Sequence, residues 1–305
     1  MTAPLLIADV PWLLYRSFFA LPKSIVGADG APVNALLGTV NALLALIDVR
    51  PPAECPRAVV ACLGAEQAEY RVALYPPYHA HRDPMPAELA AQWQRAPALL
   101  AGLGWTVSGS DDLEADDVMF SHARTEQEQG GRALLLTGDR DLFGAVSDDV
   151  AVVELRKGAE QSKIGPEQVR ERYGVEPEQV PDFIALRGDP SDGLPGAPGI
   201  GAKTAAELLR AHGSLEGLLL AAGVSASGDG AGAAVRATTL MRPRIAATLR
   251  EHAELLLAFK EIATLQRIEV ERPPDRITDF LGGAALAREL GMRRLAERLQ
   301  KLATA

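Results

Sequence analysis

Short apolar runs punctuate the first half of the chain: Leu5–Asp9 (LLIAD), Ala58–Leu63 (AVVACL), Trp105–Gly109 (WTVSG), Ala133–Thr137 (ALLLT) and Val150–Leu155 (VAVVEL). Each is bounded by turn residues and has the length of a strand. Between them, Ala35–Leu46, Ala87–Leu103 and Glu114–Gln127 carry apolar residues at helical spacing, the last behind potential caps in Ser110–Asp112. This alternation predicts an α/β fold with a mostly parallel sheet flanked by helices. After Ile164 the strand-like runs stop. Helices are expected at Pro166–Tyr173, Pro177–Leu186, Ala202–Ala211 and Leu215–Leu220, and again towards the C-terminus. The expected division is an α/β core over residues 1–164 and a helical region over 165–305. Two stretches break the pattern. Tyr70–Pro86 is aromatic, Pro-rich and basic, and Ala221–Ala234 is a Gly/Ala/Ser-rich run that reads as a flexible loop.

Acidic residues follow the predicted strands. Asp9 ends the first, Glu114, Asp116 and Asp117 follow the third, and Asp139 and Asp141 follow the fourth. Ligands of open parallel sheets gather at the carboxyl ends of strands, so these chain-distant acids are expected on one edge. Any one of them alone would be a helix cap or a surface acid. Together they repel one another unless cations join them, and oxygen donors without Cys or His point to Mg2+ or Mn2+. Asp189 and Asp192, at i and i+3 on a turn, are placed to complete a second cation site beside Asp139 and Asp141. Two ions roughly 4 Å apart form a clamp for phosphodiester hydrolysis.

The segment Pro195–Leu209 (PGAPGIGAKTAAELL) adds a backbone cradle. Gly199 and Gly201 permit close approach, the first amides of the following helix are free to bind phosphate, and Lys203 adds a point charge beside Thr204. A P-loop is excluded, because Ala202 stands where Gly must precede Lys, and a dinucleotide fingerprint fails for want of a preceding strand and a third glycine. An ordinary helix–turn–helix corner remains the alternative.

Composition changes this picture little. The 305 residues are 48% hydrophobic and 23% charged, which supports one large domain or two modest ones. A net charge of −9 disfavours nucleic acid only if the acids are not gathered around metal ions. The two cysteines, Cys55 and Cys62, have no metal-ligand company. No apolar run spans a bilayer and no signal-peptide pattern is seen, so no membrane partner is expected and the cytoplasm is the expected location.

The motifs LLIADVPWLLYRSFFAL, LEADDV, LTGDRDLF and LRGDPSDGLPGAPGIGAKTA together resemble the 5′–3′ exonuclease and flap endonuclease family, over roughly the first 220 residues in the right order. The resemblance implies a PIN-like 5′ nuclease fold with a C-terminal helix–hairpin–helix extension, and a metal-dependent enzyme of DNA replication and repair. It would cut DNA at 5′ ends, flaps, nicks or gaps; an RNA–DNA hybrid is a further candidate substrate, and a monomer is expected. It implies that Glu114, Asp116 and Asp117 serve a first metal, that Asp139, Asp141, Asp189 and Asp192 serve a second, and that Asp9 sits beside both. It places a duplex clamp, with a monovalent cation, at about 181–215, in the Gly199–Lys203 region. It places a helical arch over about 70–90, lined by Arg71, His79, His81 and Arg82, and a DNA contact at Arg16.

Two departures fall in one region. The family aspartate expected after the second strand is absent, with Leu63 and Gly64 at the candidate positions, and His79 stands where the family favours lysine. Three explanations stay open: the remaining acids and waters hold two ions, Glu66 or Glu69 substitutes, or the first site is crippled. The last would leave a branched-DNA-binding protein with weakened or lost cleavage. Further on, Arg236, Arg242, Arg244 and Arg250 make a local basic patch, which could grip duplex or lie on a solvated helix face.

Overall fold

A computed structural model of the protein describes residues 3–47, 55–155, 161–224 and 241–304. The predicted strands form at Leu5–Asp9 (β1), Ala58–Cys62 (β2), Thr106–Ser108 (β3), Ala133–Leu136 (β4) and Val150–Leu155 (β5). They pair in parallel in the order β3-β2-β1-β4-β5. A strand the sequence reading missed, Gln161–Ile164 (β6), adds antiparallel to β5 at the edge. Its sequence QSKI has too few apolar residues to announce a strand, and an edge position tolerates that composition.

The connections are helical: Val10–Ala20 (α1), Asn34–Ile47 (α2), Glu69–Leu74 (α3), Ala87–Gly102 (α4) and Ala115–Glu128 (α5). β1 and β2 are buried along their whole length, as continuous apolar strands covered on both faces should be. One core packs α5 and the helical region against one face of the sheet, and the other packs α1, α2 and α4 against the opposite face. Phe18 is buried in the second core, whereas its neighbour Phe19 is 71% exposed.

The helical region begins with Pro166–Tyr173 (α6), Val180–Arg187 (α7), Ala202–His212 (α8) and Leu215–Ala221 (α9). Pro243–Glu251 (α10) and Ala253–Ala263 (α11) follow, and α11 packs against α7. Most of the Gly/Ala/Ser-rich stretch, from residue 225 on, lies outside the described residues, as does Arg236 of the basic patch. Arg242 and Arg244 are exposed, and Arg250 donates to the Ala222 carbonyl at 2.7 Å.

Residues 165–305 do not form one separate body. From Thr264 the chain runs extended along α5 and back to the first half. Arg57 and Arg272 both pair with the buried Glu126, and Arg57 also donates to the Pro273 carbonyl. Phe280–Glu289 (α12) and Arg293–Leu302 (α13) then close over α4, placing Ala284, Leu295 and Leu299 in the same core as β1 and α2. Glu126 is 1% exposed between two guanidiniums, which hold its carboxyl below the usual range against the opposing effect of burial. Removing one partner of such a group strands the others in low dielectric. Glu126→Ala is expected to lower stability by about 3 kcal/mol in urea unfolding. A loss below about 1 kcal/mol would show that this junction does not hold the returning segment.

Candidate active site

β1 leads to β2 on one side, and β4 lies on its other side, so the chain reverses direction in the sheet between β1 and β4. The cleft at such a point takes the ligand. Asp9 ends β1, caps α1 by accepting from the Trp12 amide at 2.9 Å, and accepts from Thr137 Oγ1 at 2.7 Å. Thr137 follows β4 and also accepts from the Asp139 amide at 3.0 Å, while Asp139 accepts from the Asp141 amide at 2.9 Å. One hydroxyl thus ties the acids of two neighbouring strands together.

Asp189 and Asp192 come from the turn after α7. A short antiparallel bridge between Asp189 and Leu194 closes this turn, and Asp189 accepts from the Ser191 amide and hydroxyl. Their charges reach the strand-end acids. Asp139 is open to solvent on one side, yet the protein packed around it, then Asp192, Asp9 and Asp189, push its carboxyl up to about 7. Solvent tempers the desolvation there, so the mutual repulsion carries the weight. Asp141 is raised well above the ordinary range by burial and then by Asp139, Asp192, Asp189 and Asp116. Burial likewise raises Asp9, against its two hydrogen bonds.

Glu114, Asp116 and Asp117 open α5. Their counter-charge is Arg71 of α3, which is 1% exposed. Its Nη2 donates to Asp117 at 2.9 Å, its Nη1 lies 3.0 Å from Glu114 and 3.6 Å from Asp116, and its Nε donates to the Ile262 carbonyl at 3.1 Å. Burial opposes the charge on Arg71, but Asp116, Glu114 and Asp117 outweigh it and raise its pKa. Asp116 is raised well above the usual carboxylate range, by burial first and by its acidic neighbours, while Arg71 pulls the other way.

The expected arch takes another form. Residues 76–81 make turns rather than a helix, and α3 before them spans only six residues. Tyr78 donates to Glu114 at 3.1 Å, and the His79 ring stacks on Tyr78. His79 Nε2 lies 3.0 Å from Asp192 Oδ1, and its amide donates to the Asp192 carbonyl at 3.1 Å. Arg71 and His79, expected to line a strand-binding passage, are therefore inside the protein, because the acids beside them demand partners. Arg82 and Arg16 remain exposed; Arg82 reaches Asp192 at 3.2 Å, and Arg16 lies over the Trp12 ring. Glu66 accepts from Tyr15 Oη at 3.2 Å, and Glu69 stands exposed in the first turn of α3.

The structure thus gathers Asp9, Asp116, Asp139, Asp141, Asp189 and Asp192 into one field of mutual repulsion. Among the described residues no three acids are drawn tightly enough to cage an ion as they stand. Their chemistry fits a hard divalent cation nonetheless: the donors are all oxygen, and Asp139, Asp141 and Asp189 form no ion pair among the described residues. Sequence reasoning passed over Thr137 and Gln266. The first was legible as a hydroxyl at a strand end, whereas the Gln266 amide, which donates to Asp117 at 2.7 Å, carries no sequence signal.

The helix–hairpin–helix is formed by α7, the turn from Gly188, and α8. Gly199 has φ +78° and Gly201 is the N-cap of α8, with no side chain capping it. A methyl group at either glycine would meet open space, and Lys203 is exposed beside them.

Residues 4–174 match the family described as 5′-3′ exonuclease, N-terminal resolvase-like domain, and residues 175–278 match the 5′-3′ exonuclease C-terminal SAM fold. A 5′-3′ exonuclease of Mycobacterium tuberculosis is 34% identical over 99% of this chain and 98% of its own length. DNA polymerase I of Mycobacterium bovis is 41% identical over 70% of this chain, and the match spans only 24% of that polymerase. The bacteriophage T5 D15 flap endonuclease, solved with DNA and metal ions, superposes with a TM-score of 0.63 at 16% identity, covering 99% of this chain and 100% of that one. At that identity the likeness shows the fold. The chain belongs to the 5′–3′ exonuclease family.

The raised carboxyls favour protons in the folded, metal-free protein, so their contribution to stability is lost as pH rises from 3.8 towards about 7 at Asp139. His122, held neutral by burial at about 4, acts in the opposite sense: its contribution is complete above 6.5 and is lost as pH falls towards 4. Mn2+ is therefore expected to raise the melting temperature more at pH 7.5 than at pH 5. Saturation to a hundred times Kd corresponds to about 2.7 kcal/mol. Equal shifts at both pH values in scanning calorimetry would contradict the assignment of these acids to a cation.

Proposed function

We propose that the protein is a divalent-metal-dependent 5′ nuclease that hydrolyses phosphodiesters of DNA at 5′ ends, flaps, nicks or gaps. The observation that carries this reading is the field of strand-end and turn acids at the β1/β4 cleft, two of which, Asp189 and Asp192, come from the turn of the helix–hairpin–helix itself. Asp139, Asp141, Asp189 and Asp192 would hold one ion, and Asp116, with Asp9 beside it, would hold the other. The bound ions, Mg2+ or Mn2+, supply Lewis acidity towards the phosphodiester.

The protein's own groups do the rest. Thr137 holds the Asp9 carboxylate at the cleft. Arg71 and Tyr78 hold the Glu114 carboxylate in place. Free amides at the start of α8, with Lys203 and Thr204, grip backbone phosphate and so position duplex without reading its sequence. The T5 complex with DNA and metal ions supports both assignments by analogy of fold. Exposed Arg16 and Arg82 flank the approach to the cleft as further phosphate contacts.

A specific observation favours a second reading, a branched-DNA binder that cuts weakly. At Gly64, one of the two positions where the family acid is expected, there is no room for a side chain: a Cβ would lie 2.4 Å from the Ala115 amide nitrogen.

A 5′-labelled flap substrate decides between them. Wild-type protein with Mn2+ is expected to release product, and Asp139→Asn to lower the rate roughly 100-fold or more while binding survives in fluorescence anisotropy. Lys203→Ala is expected to weaken binding and reduce the salt slope by about 1. Tight binding by the wild type without product at any Mg2+ or Mn2+ concentration selects the binder.

A further inference from the structure

We propose that the Arg71 guanidinium is a built-in counter-ion for the Glu114, Asp116 and Asp117 group, so that this chain binds one divalent cation tightly, on the Asp139/Asp141 side, and a second much more weakly. The inference deepens the nuclease reading above and rests on it.

The two groups of acids differ in what the protein supplies to them. Glu114 is already engaged: the Ala68 amide donates to Oε1 at 3.0 Å, Tyr78 Oη lies 3.1 Å from both oxygens, and Arg71 lies 3.0 Å away. Asp117 is sealed, with 0% of its surface exposed. Its Oδ1 accepts from Arg71 and from the Gln266 amide, and its Oδ2 meets no partner. Asp116 stands close enough to Asp139 and Asp141 for their charges to repel. On the opposite side, Asp139, Asp141 and Asp189 pair with no cationic side chain among the described residues, and Asp192 alone is shared with His79 and Arg82.

Guanidinium does not lose its proton in proteins, so the charge at the first group is permanent. An ion seeking Glu114 or Asp117 would have to displace it, leaving a buried cation without its partners. Nor can the chain restore an acid at position 64. A Cβ there would come within 2.4, 2.5 and 2.6 Å of backbone atoms of Ala115, Glu114 and Leu113, the segment that carries Glu114 itself. Glu66 is occupied at Tyr15. With a fixed positive charge already set among Glu114, Asp116 and Asp117, cation demand moves to the Asp139/Asp141 side.

The test counts ions independently of cleavage, by titrating the intact protein with Mn2+ and reading free Mn2+ by electron paramagnetic resonance. The wild type is expected to bind one ion at least about tenfold more tightly than a second, a gap of about 1.4 kcal/mol. Asp141→Asn should abolish the tight event. Arg71→Met, which removes the resident charge, should tighten the second event by about tenfold. Arg71→Lys, which keeps the charge, should leave the second event near its wild-type affinity and serves if the Met variant fails to fold by circular dichroism. Two ions of equal affinity in the wild type, or a second event unchanged in a folded Arg71→Met protein, would overturn the role of Arg71 while the nuclease reading stood. No Mn2+ binding at all would overturn both.

Discussion

Parallel strands that share a sheet deliver their carboxyl ends to the same edge, and this chain has placed acids at or after three of the five: β1, β3 and β4. The repulsion that results is the constraint to which the surrounding structure answers. Arg71 is buried because Glu114, Asp116 and Asp117 surround it, and its guanidinium opposes the rise that burial imposes on Asp116 and Asp117. The turns at residues 76–81 fold inward for the same reason, with Tyr78 reaching Glu114 and His79 reaching Asp192. Remove the acids and α3 and the following turn would keep only their apolar contacts, such as Tyr75 against Phe259.

The same constraint joins the two halves of the chain. Arg71 Nε donates to the Ile262 carbonyl at the end of α11, and Asp117 accepts from the Gln266 amide just beyond it. The helical region that carries α7 and α8 is therefore anchored on the charged cluster itself. Shifts of α11 would be felt at the carboxylates, and loss of charge there would loosen the hold on α11.

Much of this was legible in the sequence because it rests on local period and on residue type. The runs LLIAD, AVVACL and ALLLT announced buried strands, and the acids after them announced the edge. The glycines before Lys203 announced a turn open to phosphate, and the family resemblance implied the helix–hairpin–helix. What stayed hidden depends on side-chain direction across long separations. A Tyr–Arg pair in a basic, aromatic stretch reads as a surface for phosphate, and only the three-dimensional closure of α3 onto α5 turns Arg71 inward. The strand β6 was missed because an edge strand needs ladder bonds more than apolar residues. The return of the C-terminal helices was missed because an amphipathic helix does not say which surface it will cover.

That return bears on how the protein is made. Leu295, Ala296 and Leu299 of α13 complete the core that β1, α2 and α4 begin. Ribosomal synthesis delivers the first strand hundreds of residues before the side chains that seal its core, so the apolar flank of α4 must wait uncovered while the catalytic half is already out. The half of the protein that is made first is thus completed by the part made last, and its core closes only when α12 and α13 arrive.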